Sequence, residues 1–174
     1  MSRNPSAALP VAYVTLRILI ILNWLYAACL IALLSYSFIN EPFLMRALQL
    51  ASPAENPGLV IGVRAVAALG IVTVPINLAM LRRMMAMVDT VRAGNPFVAA
   101  NAYRINAIAW LLLALQVIGL VIWAIGKAVS TPAHELHLNA GFSPAGWLAV
   151  VLTFVLARVF AEGALMREDL EGTV

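Results

Sequence analysis

Four apolar runs, each long enough to cross a bilayer as a helix, restrict what this chain can fold into more than any other feature. A transmembrane helix needs roughly 20 mostly apolar residues to cross a hydrocarbon core of about 30 Å. Ile18–Ile39, Leu59–Leu81, Ile105–Gly126 and Trp147–Met166 meet that length. Composition points the same way: 63% of the 174 residues are hydrophobic and 11% are charged, against roughly 25% charged in soluble domains. That leaves too little polar surface to wrap a water-soluble core, so the excess apolar side chains need lipid as their solvent. The expectation is an all-α integral membrane protein, with residues 1–174 as one domain of four transmembrane helices and no separate soluble domain. The first helix can also begin near Val11, which would bring Arg17 inside it.

The connections carry loop chemistry: Asn40-Glu41-Pro42, Ser52-Pro53 with Asn56-Pro57-Gly58, Gly94-Asn95-Pro96, and Gly141 to Pro144. Proline just past a helix and glycine at its end are expected stop signals. Arginine gives the orientation, because Lys and Arg are enriched in cytoplasmic flanks while acidic residues count for little. Arg3 and Arg17 precede the first span, Arg82, Arg83, Arg92 and Arg104 lie between the second and third, and Arg167 follows the fourth. The other two connections hold only Arg46 and Lys127. Both termini and the central elbow are therefore expected in the cytoplasm. The first run is longer than a signal-peptide core of roughly 7–15 residues and lacks a small-x-small cleavage site after it, so it reads as an uncleaved anchor.

The net charge of +3 punctuates the ends of apolar runs and does not cluster on one motif, which argues against direct nucleic-acid binding. The one cysteine, Cys29, lies in an apolar run, excludes an internal disulfide and is expected to pack. His134 and His137, at i, i+3 around Glu135, supply too few ligands for a metal site, which normally needs three or four. The chain has no Gly-rich phosphate loop, no Cys-x-x-Cys and no Gly-x-Ser-x-Gly. No catalytic residue and no cofactor is expected.

The elbow is a helix stop followed by a helix start. Gly94 can take positive φ, Asn95 is a good N-cap, and Pro96 suits a first helical turn. Phe97 adds an apolar side chain that can bury against the bundle end or lie in the interface. Asn101 and Arg104, at i, i+3, share a face of the next helix. In the tail, Arg158 and Glu162 are one turn apart and form the first ion pair to expect, since a charge within a span is usually paired; a partner on another helix stays open. Arg167, Glu168, Asp169 and Glu171 follow as the helix leaves the membrane.

Arg64 can snorkel outward or meet Glu41, Glu55 or Glu135. Asn23, Asn77 and Gln116 are neutral polar groups of the kind that hydrogen-bond between membrane helices. Pro75 should kink the second span. Trp24, Trp110, Trp123 and Trp147 lie toward span ends, as interfacial anchors do. The two halves of the chain repeat one loose pattern, with LAMLRRMMAMVD and LARVFAEGALMRED in corresponding places.

The segments GNPFVAANAYRINAIAWLLLALQ and GFSPAGWLAVVLTFVLARVFAEGALMREDLEGTV resemble bacterial membrane proteins of the domain-of-unknown-function 2975 family. The likeness runs from about Leu16 to Val174, with its specific part in these two segments: a Gly-x-Pro-Phe elbow with a following Asn, and an Arg-Val-Phe, Gly, acidic-tail ending. It implies four spans in the bacterial inner membrane and no reaction. It also implies a small cytoplasmic helix-turn-helix regulator as partner. The leading expectation is thus a non-catalytic regulatory or scaffolding protein. Its partner-binding surface would comprise Gly94, Asn95, Pro96, Phe97, Asn101, Arg104, Arg167, Glu168 and Asp169. The alternative is a transporter or channel subunit acting as a homo-oligomer, with the intramembrane polar residues Arg64, Asn77, Gln116, Arg158 and Glu162 along its path.

Overall fold

A computed structural model describes residues 8–42, 57–130 and 141–171. It is all-helical, with no strand among the described residues: α1 (Ala8–Ile39), α2 (Pro57–Arg92), α3 (Ala99–Val129) and α4 (Pro144–Glu171). All four are long and apolar enough to cross a membrane, so this is a multi-pass helical membrane protein. Each helix outruns the apolar stretch that defines it in the sequence. The 36 residues of α2 rise about 54 Å, far more than a hydrocarbon core of about 30 Å, and its last turns carry Arg82, Arg83, Asp89 and Arg92. Arg17 lies inside α1.

Helix ends follow local chemistry. Pro57 and Pro144 open α2 and α4, where a missing N–H costs nothing. At the end of α2, Gly94 adopts φ 78, and its N–H reaches the Val91 carbonyl while that of Asn95 reaches Thr90, both at 3.0 Å. This is the 5→2 and 6→1 pairing of a Schellman motif.

The chain forms two compact units: Met1–Asn23, Ile76–Ala114 and Pro144–Val174 make the elbow unit, and Trp24–Pro75 with Leu115–Ser143 make the clamp unit. In the elbow unit small buried residues recur at heptad spacing, with Ala102 and Ala109 on α3 and Val150, Ala157 and Ala164 on α4. That is the period of left-handed helix pairing, and small side chains let membrane helices approach closely. Outward from α4 lie Leu148, Val151, Leu152, Val155, Leu156 and Val159, an apolar face far larger than water-soluble proteins expose.

In the clamp unit the glycines of α2 admit their neighbours: a Cβ on Gly62 would stand 2.7 and 2.9 Å from the Val129 methyls, and one on Gly70 would stand 2.9 Å from Leu30 Cδ1. Trp123, Trp24 and, in the elbow unit, Trp110 are exposed. Cys29, expected to pack, is exposed as well, because it falls on the outward stripe of α1. Pro75 stands within α2, where it removes the hydrogen bond to the Ile71 carbonyl.

Because valine is stiff at χ1, Val129 yields poorly to a new methyl. Gly62→Ala is expected to destabilise the protein by about 1–3 kcal/mol, read by thermal unfolding in detergent. Adding Val129→Ala should recover most of the loss; a double variant no more stable than Gly62→Ala would disprove the contact.

Candidate functional site

The Asn-Pro elbow is held from beneath by one buried amide. Asn101, in the first turn of α3, has no solvent exposure. Its Nδ2 donates to the Pro96 carbonyl at 2.9 Å and to Thr90 Oγ1 at 2.7 Å. Its Oδ1 accepts from Arg104 Nη1 at 2.7 Å. Both amide protons and the carbonyl oxygen are thereby engaged. Thr90 in turn donates to the Met87 carbonyl at 2.7 Å, and Arg104 Nη1 also reaches the Ala86 carbonyl at 3.3 Å. The last turns of α2 and the first turn of α3 are thus stitched together across the elbow.

The helix start differs from the sequence expectation. α3 begins at Ala99, and the Val98 carbonyl accepts the Asn101 N–H at 2.8 Å, so Asn95 is not the N-cap. The non-helical segment before Ala99, with its bend at Phe97, lets the Phe97 ring turn onto α4. There its ring stacks tilted on Phe160 with centroids 5.2 Å apart. It also lies close over Gly163, where a Cβ would stand 3.0 Å from Phe97 Cδ1. Phe97 nonetheless stays 43% exposed. The Asn95 side chain has a different role: its Oδ1 accepts from Arg167 Nη2 at 2.9 Å, across 72 residues of chain.

The elbow and the end of α4, nominated separately by sequence, are therefore joined through Phe97 and the Asn95–Arg167 bond. Gly94, Asn95 and Phe97 are exposed at this junction, and Pro96 and Arg167 are partly so; Glu168 and Asp169 are exposed on the last turn of α4, where Asp169, seven residues beyond Glu162, falls on the outward face. Asn101 is enclosed and Arg104 turns inward, so these two act by setting the elbow's shape. Leu165 and Met166, each 61% exposed, lie among the acidic residues and were not singled out in the sequence. On α1 and α2, Tyr13 carries two guanidinium groups, Arg17 and Arg92, at 5.0 and 5.4 Å from its ring centre. An apolar groove beside them is lined by Leu16, Leu19, Met84, Met87, Val88 and Val91.

The intramembrane polar residues separate into two groups. In the clamp unit, Arg64 closes the end of α1: Nε donates to Ser37 Oγ at 2.9 Å and Nη2 to the Ser37 carbonyl at 2.7 Å. Nη2 also bonds Glu41 Oε1, and the guanidinium lies 4.3 Å from the Phe38 ring centre. Of the carboxylates expected for Arg64, Glu41 is the one it meets; Glu55 and Glu135 fall outside the described residues, as do Arg3, Arg46, His134 and His137. A cation at a helix C-terminus meets carbonyls that lack intrahelical partners. Gln116 is a half-buried member of the same unit.

Asn77, half-buried, and Arg158 belong to the elbow unit. Arg158 Nε donates to Glu162 Oε1 at 2.8 Å. The expected pair forms within one helix and points outward, with side chains 78% and 54% exposed. Beside it opens a cleft lined by Ala102, Tyr103, Asn106, Phe154, Ala157, Arg158 and Ala161. Tyr103 and Asn106 flank Arg104 in sequence, the one signal that could have drawn notice to them.

Comparison of the chain with family models, curated proteins and solved structures returns no match. The site rests on its own geometry.

Two stability outcomes follow. Asn101→Leu should lose about 1–3 kcal/mol by leaving the Pro96 carbonyl and Thr90 without their donor, whereas Asn95→Ala, which deletes one exposed bond, should lose under about 1 kcal/mol. Arg64→Met should cost more than Glu41→Gln in the same thermal assay, since the first strands the buried Ser37 groups and the second leaves them bonded. Equal losses in either comparison would contradict the assigned networks.

Proposed function

We propose that this is a non-catalytic regulatory or scaffolding protein of the bacterial inner membrane, of the domain-of-unknown-function 2975 type. Its cytoplasmic end docks a small basic partner, in the manner of a helix-turn-helix regulator. The observation that carries the reading is the Asn95–Arg167 bond with the seat of Phe97 on Phe160 and Gly163. Together they hold the elbow against the end of α4.

This end of the protein presents exposed apolar side chains (Phe97 at the elbow, Met166 beside it on α4, Leu165 on the outward face) and, on the last turn of α4, the carboxylates Glu168 and Asp169. A basic partner with an apolar anchor fits such a surface: burying the anchor gives affinity, and opposite charge speeds and orients the encounter. The orientation rests on arginine. Arg17, Arg82, Arg83, Arg92, Arg104 and Arg167 all fall within the elbow unit, and enrichment of this kind marks the cytoplasmic flank.

A transport path along Arg64, Asn77, Gln116 and Arg158 is the competing reading. Against it, Arg64 is committed to the end of α1 and Arg158 faces outward.

The test is crosslinked copurification from native membranes. The intact chain should capture a small basic DNA-binding protein. Met166→Ser and the pair Glu168→Lys with Asp169→Lys should each reduce capture about tenfold, as loss of one interfacial anchor does, with the melting temperature nearly unchanged. Capture unaffected by both variants would remove the docking surface from consideration and move flux measurements to the front.

A further inference from the structure

The Arg158–Glu162 pair is the least expected feature of the elbow unit, because it projects from the helix face that also exposes Val151, Leu152, Val155, Leu156 and Val159. An ion pair on a lipid-facing surface is costly unless it lies where polar groups can reach it. Its depth follows from its neighbours. The cleft walls Tyr103 and Asn106 bracket Arg104, where the apolar run of α3 ends, so Arg158 stands near the hydrocarbon boundary. Glu162 lies one turn, about 6 Å, farther toward the end of the helix.

We infer that this pair and its cleft bind the headgroup of an ethanolamine phospholipid, with the phosphate on Arg158 and the ammonium on Glu162. The order of charges matches. In such a lipid the phosphate is tied to the acyl-bearing glycerol, and the ammonium sits two carbons beyond it, free to swing outward. The protein offers the cation deeper and the anion farther out.

The guanidinium is also suitably placed. Glu162 occupies Nε, and the part of the fork left for a planar two-point contact to phosphate oxygens is the outer pair of nitrogens, Nη1 and Nη2. The Tyr103 hydroxyl and the Asn106 amide, both on exposed residues at the cleft wall, supply further donors. Ala102, Ala157 and Ala161 leave room between them, and deeper along the same helices Trp110 meets Phe154 edge-on at 5.3 Å, an apolar surface for the acyl chains.

The chemistry excludes the common alternatives. A choline headgroup has no N–H to donate to Glu162. A glycerol headgroup has no cation, and its net negative charge meets the carboxylate unfavourably.

The experiment is native mass spectrometry of the full chain released from vesicles holding equal parts of ethanolamine, choline and glycerol phospholipids. The wild type should retain the ethanolamine lipid about tenfold over the other two, the effect of one added charge-assisted hydrogen bond. The swapped variant R158E/E162R keeps an ion pair at the same spacing but reverses its direction, and should bring the preference to near parity. Asn106→Leu leaves the pair intact and should lower retention about threefold, which keeps the test decisive if the swap fails to fold. Any of these results would overturn the inference: a preference that survives the swap, glycerol lipid retained as well as ethanolamine lipid, or displacement by soluble phosphoethanolamine, which would mark a water-borne ligand. A wild-type dimer that the swap dissociates would also overturn it, by showing that a second copy covers the pair.

Discussion

Lipid offers no hydrogen bonds, so any backbone crossing the hydrocarbon must satisfy its own N–H and C=O groups, and irregular structure is pushed to the ends. The rest of the molecule follows from that requirement. The Schellman turn at Gly94, the non-helical segment that carries Phe97 and the bonds from Arg64 to the end of α1 all stand where apolar runs give out. Pro75 is the exception inside a span. The backbone group it frees, the Ile71 carbonyl, is an acceptor, and an under-satisfied carbonyl is tolerated more readily than a buried N–H.

Two polar fasteners at the helix ends follow one design. In each, an arginine reaches a buried neutral side chain together with a main-chain carbonyl: Arg64 takes Ser37 Oγ and the Ser37 carbonyl, and Arg104 takes Asn101 Oδ1 and the Ala86 carbonyl. Arginine suits this use because its planar fork carries several donors and its charge is only weakly hydrated. The two fasteners differ in purpose. The first secures the end of one helix, whereas the second shapes a surface whose exposed members can meet a partner. The outward Arg158–Glu162 pair is of another kind, since it forms within one helix and offers its charges to whatever lies outside.

Much of this was legible in sequence, and unevenly so. The four spans could be read because bilayer thickness imposes a minimum length on apolar runs. Gly94 as a helix stop could be read because positive φ is a local requirement. The N-cap reading of Asn95 failed because a stronger demand, seating Phe97 on Gly163, delayed the helix to Ala99. Cys29 was expected inside and lies outside, because in lipid an apolar environment no longer means a protein core. Arg64 had three candidate carboxylates, and only folding chose Glu41 among the described residues.

The sequence by itself determined an all-helical, four-span membrane protein, the approximate places where its helices break, and Glu162 as the first partner to expect for Arg158. All of these depend on composition and on spacings of a few residues. Tertiary structure alone decided that Asn95 meets Arg167 across 72 residues, that Asn101 is enclosed beneath the elbow, and that the Arg158–Glu162 pair faces outward. Periodicity assigns residues to faces of a helix, but which face meets a neighbour depends on how helices distant in the chain pack. In lipid that packing is governed by small residues, close fit and a few interhelical hydrogen bonds, and so it leaves little trace in a hydrophobic pattern.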